Sequence, residues 1–141
     1  MTNYFSVTPQ LKHFQFIVVG LEELPPDQTA ALAERVCDCL YERGAMIDCI
    51  TSLWIIASWG AIFNDDSPEA RLAAVSDLLT TNASSVRIAH GQCLSIVGNI
   101  GSRQRFNYEA LIPGLQDIRE KLSQTKFGTA FEVPEKMQNK P

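Results

Sequence analysis

The 141-residue chain has no uninterrupted apolar run near the roughly 18 residues that a membrane-spanning helix needs. Its first residues, MTNYFSVTPQ, lack the basic-then-apolar order of a secretory leader. A cytoplasmic protein with no membrane partner is therefore expected. Basic residues are also short: 12 Lys and Arg stand against 16 Asp and Glu, giving a net charge of −4 and a pI near 5.1. That balance argues against a nucleic-acid binder, which ordinarily carries a basic stripe. The four cysteines, Cys37, Cys39, Cys49 and Cys93, form no C-x-x-C pair. Cys37 and Cys39 fall in an apparent helix, where positions two apart do not face each other, and only His13 and His90 could complete a zinc set. Reduced, mostly buried thiols and no metal or other cofactor are expected. No repeat, low-complexity run or linker breaks the chain. The reading is one domain over 14–133, with an N-terminal extension at 1–13 and a polar tail at 134–141.

What is present is an ordinary core supply, 45% hydrophobic, arranged in short segments. FQFIVVG at 14–20 is a β-branched apolar run and reads as a central strand. Pro25-Pro26 opens a helix from about Asp27 to Arg43, with Ala30, Leu32, Val36, Cys39 and Leu40 near one face and Gly44 as its C-terminal stop. Residues 45–50 and 53–59 read as two strands with a tight link at Thr51-Ser52. Ser67 caps a second helix that begins at Pro68 and sets Leu72, Val75, Leu78 and Leu79 toward the core. SVRIAH (85–90) and QCLSIV (92–97) read as a strand pair, close enough for a hairpin. A third helix covers 114–124 and a last strand, FGTAFEV, covers 127–133. The order β-α-β-β-α-β-β-α-β gives an α+β fold. Its first six elements form a ferredoxin-like βαββαβ core, with helices on one face of a mainly antiparallel sheet.

Several separated segments carry a resemblance. Val97-Gly98-Asn99-Ile100-Gly101-Ser102, followed by Arg105 and Tyr108, is similar to V-G-N-I-G-S…R…Y. His90-Gly91 resembles an H-T-G turn, with one residue of mismatch. Lys126-Phe127-Gly128-Thr129, then Phe131, Val133 and Glu135, resembles a late K-Y-G-T…I-L-V-S-E segment. Asp48 through Ala61 lies without gaps over a D-K-x-I-G-D-x-x-M-A-V-F-G-A hairpin. Together these resemble the catalytic domain of class III adenylate/guanylate cyclases, in a shortened and degenerate form.

The resemblance implies chemistry that the aligned residues do not supply. Cyclising a nucleoside triphosphate in that family uses two divalent cations, and hard cations demand carboxylate oxygens. The two metal-aspartate positions fall on Gly20 and Leu53. Glu22, Glu23 and Asp48 are nearby carboxylates, but off register. The family's adenine-reading lysine and aspartate fall on Cys49 and Asn107, of which Asn107 can still hydrogen-bond a base. Its transition-state Asn and Arg, four apart on one helix face, fall on Gln116 and Glu120 when counted from Tyr108. Counted from Phe127 they fall on Leu115 and Arg119. Neither count finds both residues.

The expected function is a catalytically inactive cyclase-like domain acting as a protein-interaction, dimerisation or regulatory module, with a protein partner or a second copy. A nucleotide-sensing domain that binds without turnover, through Asn107, Arg103, Arg105 or Arg119, is the alternative. A divergent cyclase with relocated metal ligands is the third. Candidate interface residues are Trp54, Trp59, Arg105, Phe106 and Tyr108. Trp54 and Trp59 lie five apart in a strand, so they should point to opposite faces, with one in the core.

Overall fold

The computed structural model describes residues 10–61, 65–82, 84–99, 108–110 and 112–134. Strand β1 (Gln10–Leu21) is followed by α1 (Pro26–Glu42), β2 (Met46–Ile50), β3 (Trp54–Trp59), α2 (Pro68–Thr81), β4 (Val86–Asn99), β5 (Tyr108–Ala110), α3 (Leu115–Ser123) and β6 (Ala130–Glu132). The strands form one sheet ordered β2-β3-β1-β4-β5, with β6 added to β4. Every pairing is antiparallel except β4 with β6. The first six elements thus make the expected ferredoxin-like arrangement, with β1 and β3 central and β4 and β2 outside them.

The apolar run in β1 is continuous because both faces of the strand are covered. Ile17, Val19 and Leu21 enter a core with Leu32, Val36 and Leu40 of α1, Ala74, Val75 and Leu78 of α2, and Trp59. Phe14, Phe16 and Val18 enter a second core with Ile56, Ala89, Ile112, Val133 and Ile118 and Leu122 of α3. Helices therefore lie on both faces of the sheet, which corrects the one-face expectation. An alternating strand would have exposed one side, and FQFIVVG leaves none to expose.

Local chemistry explains the helix ends. Ser67 caps α2 by accepting from the Ala70 amide at 3.1 Å, and Pro68 begins it. Gly44 follows α1 with φ of 80°, in the left-handed region that ends helices. Leu72, placed at the core by sequence, is 51% exposed. The neighbouring core position of that helix is taken by Arg71, which is buried.

The largest departure concerns residues 85–97. They do not form a hairpin: β4 runs unbroken through Gly91 and pairs with β1 from Val86↔Leu21 to Val97↔Gln10. His90-Gly91 is consequently strand, not a turn. Gly91 faces Phe16, and a Cβ there would sit 3.3 Å from the Phe16 ring. The glycine answers a close approach rather than a reversal. The element order still matches the expected string, since β5, unread in sequence, replaces the lost hairpin strand. The last strand is shorter than read, at Ala130–Glu132. All four cysteines are free, but only Cys93 is fully buried. Burial pushes its thiol up to about 12.

Candidate functional site

The two positions that matter most come together at one end of the sheet. Gly20, near the end of β1, pairs with Trp54 on one side and Arg87 on the other. The next amide, Leu21 N–H, donates to the Leu53 carbonyl at 2.9 Å. Thr51 builds the β2–β3 turn that holds Leu53, because its Oγ1 accepts from the Leu53 amide at 3.2 Å and the Trp54 amide at 2.9 Å. Gly20 and Leu53 are thus brought side by side, and the turn leaves the Leu53 side chain 46% exposed.

The space over Gly20 is filled. A Cβ on this residue would lie 3.0 Å from Arg87 Cγ, 3.1 Å from Trp54 Cζ3 and 3.3 Å from Arg87 Nε. Such distances leave no room for a side chain without displacement. Arg87 then continues toward the C-terminal end of α3. Its Nη1 donates to the Ser123 carbonyl at 3.0 Å and to the Thr125 carbonyl at 3.3 Å. Its guanidinium stacks 4.3 Å from the centre of the Phe127 ring. At this end of the sheet the charged group held in place is a cation.

Divalent cations do not fit this donor set. Neither Gly20 nor Leu53 offers a side-chain oxygen, and a fixed guanidinium beside them repels positive charge. Among the described residues, no group of three or more His, Cys, Asp or Glu side chains could hold a metal ion. Glu22 and Glu23 follow the strand end, and Asp48 lies at the β2 irregularity between Ile47 and Cys49.

Helix α3 separates the two ways of counting its residues. Gln116 and Glu120 are exposed, whereas Leu115 packs on the second core and Arg119 is half-buried. The Arg119 Nε is buried without a hydrogen-bond partner. Cys49 packs against the same core. Trp54 and Trp59 do point to opposite faces. Trp59 is a core residue, 1% exposed, with its indole N–H donating to the Arg43 carbonyl at 2.9 Å. It offers nothing to a partner. Trp54 is half-buried against Gly20 and the second core. Strand β4 ends at Asn99 and β5 begins at Tyr108, paired to it. Arg103, Arg105, Phe106 and Asn107 lie outside the described residues.

Sequence reading missed a second polar cluster on the opposite face. Arg71 Nη1 donates to His90 Nδ1 at 2.7 Å, and both side chains are buried. Arginine cannot accept, so Nδ1 is the unprotonated nitrogen of a neutral imidazole. Burial, with the Arg71 charge beside it, lowers His90 to about 4. Glu132 of β6 lies 3.8 Å from Arg71 Nη2. Nothing in the spacing of Arg71, His90 and Glu132 announces this contact, which depends on the parallel pairing of β6 with β4.

No profile of a known protein family matches the chain, and no curated protein matches it in sequence. Solved structures do match in fold. The adenylyl cyclase CyaB from P. aeruginosa superposes with a TM-score of 0.70 at 14% identity, over 92% of this chain and 80% of that one. The guanylyl cyclase Cya2 gives a TM-score of 0.63 at 17% identity, over 89% and 77%. The monomeric guanylyl cyclase domain of the RhoGC fusion protein from the aquatic fungus Blastocladiella emersonii gives 0.62 at 9% identity, over 90% and 84%. The chain has the fold of class III adenylyl/guanylyl cyclase catalytic domains. Among the described residues no helix is long and apolar enough to cross a membrane.

Proposed function

We propose that this cyclase-fold chain does not cyclise nucleoside triphosphates and acts as a protein-interaction or dimerisation module with a regulatory role. One observation carries the first half of the reading. The positions that resemble the metal aspartates, Gly20 and Leu53, sit side by side without an oxygen ligand, and Trp54 and Arg87 occupy the space between sheet and solvent. The second half rests on what remains: the cyclase-like fold of the described residues, a half-buried tryptophan at the end bearing Gly20, and the interface candidates Arg105, Phe106 and Tyr108.

Sedimentation velocity over a micromolar concentration series tests the dimerisation half. A concentration-dependent dimer supports it. A strict monomer across the whole series contradicts it.

A second reading has one observation in its favour. The buried Nε of Arg119 has no hydrogen-bond partner, and an anionic ligand that displaced its neighbours would supply one. A nucleotide sensor would bind without turnover through Arg119, with Asn107, Arg103 or Arg105. Titration calorimetry with ATP, GTP and their cyclic products separates the two, since absence of heat at millimolar ligand removes the sensor. Relocation of the metal ligands to Glu22, Glu23 or Asp48 is the least favoured reading. Replacing all three without loss of any measured activity removes it.

A further inference from the structure

Helix α3 covers the second sheet face in an unusual way. It has nine residues and sets two fully buried side chains, Ile118 and Leu122, on Phe14, Phe16 and Val18. Its first turn has no side-chain cap, because Gly114 stands at the N-cap with φ of 72°. At its other end Gly128 has φ of 90°. Glycine adopts these angles without steric cost, and each marks a sharp change of direction. Beyond Gly128 the chain is fastened to β4: the Gly128 amide donates to the Val86 carbonyl at 2.7 Å, and the Ile88 amide donates to Thr129 at 3.1 Å. The helix therefore spans two pivots, one of which is firmly tied.

Arg87 reaches across from β4 to the C-terminal end of this span, just before the tied pivot. It takes the carbonyls of Ser123 and Thr125 on one nitrogen and lays its guanidinium on Phe127. Carbonyls at a helix C-terminus carry partial negative charge, so a cation there is favourable, and charged donors make the stronger hydrogen bonds. Besides Ile118 and Leu122, the helix itself adds the partly buried Leu115 and the Lys121 ammonium, 4.5 Å from the centre of the Phe131 ring. So short an element opens locally at lower cost than the whole domain.

The geometry points to α3 as a hinged cover pivoting at Gly114 and Gly128, with Arg87 as its latch. The cover opens as a unit while the α1–α2 side of the sheet stays folded. Opening frees the Arg87 side chain and uncovers the apolar strip of β1. The inference stands apart from the proposed function, since a hinged cover would exist in an active or an inactive domain.

Native-state hydrogen exchange on the full chain tests it. In the wild-type protein the amides of 115–125 exchange faster than those of α1. Arg87→Met keeps an aliphatic stem against Gly20 and Trp54 but removes the donors. It accelerates exchange at 115–125 by roughly ten- to hundredfold, the worth of a charged hydrogen bond, and leaves α1 unchanged. Phe127→Leu gives a smaller acceleration at the same amides. Wild-type protection of α3 equal to that of α1 overturns the proposal. So does an equal acceleration across α1, α2 and α3, which would make Arg87 a support of the whole fold.

Discussion

Gly20 shows how much a single missing side chain decides. Its absent Cβ lets Trp54 and Arg87 close over the strand, and restoring even a methyl group meets both at about 3 Å. Gly20→Ala is therefore expected to destabilise the protein by about 1–3 kcal/mol through overpacking, measured by urea unfolding. Gly20→Asp combined with Leu53→Asp restores the carboxylates but not the space, so manganese should not stabilise the double variant in a thermal shift. The identity of Gly20 was legible in sequence. Its covering was not, because Arg87 is 67 positions away and becomes a neighbour only through the pairing of β1 with β4.

His90 gives a residue-scale prediction in pH. Unfolded, its imidazole takes up a proton near 6.5, while in the fold it refuses one until about 4. The unfolded state then binds more protons between these values. Stability is complete above pH 6.5 and falls as the pH drops toward 4, by about 3 kcal/mol in all. His90→Gln still accepts from Arg71 through its amide oxygen, so it should flatten urea-measured stability across that window. An unchanged slope would show that other groups carry it.

At the scale of elements, caps and periodicity are legible where the signal is local. Helix α1, helix α2 with its Ser67 cap, and strands β1 and β3 lie within a few residues of their expected bounds. Ser67→Ala should cost about 1 kcal/mol, and Ser67→Thr much less, by thermal denaturation. A local cue misleads where its cause is tertiary. Gly91 looks like punctuation, yet it is glycine because the Phe16 ring presses on it. The three residues of β5 carry too little pattern to be read at all. Helix α3 was found, but its face was not, since nothing within LQDIREKL says which side of the sheet receives Ile118 and Leu122.

For the molecule as a whole, both faces of β1 are covered by core from Phe14 to Leu21, and Trp54 and Arg87 crowd Gly20 at the end that also bears Leu53. The resemblance to the cyclase motifs puts the metal-aspartate positions on Gly20 and Leu53, a reading that rests on residue type and register. It could not show that Trp54 and Arg87 pack over Gly20, nor that Arg71 of α2 pairs with His90 of β4, because both contacts join separate elements. The fold is that of cyclase catalytic domains, and the account holds that this chain keeps the frame without the reaction. The direct test is an assay of the purified wild-type chain with manganese and either ATP or GTP, following cyclic product by mass. The account predicts no cAMP or cGMP above the enzyme-free control at any protein concentration. Metal-dependent product that rises with protein concentration would contradict it.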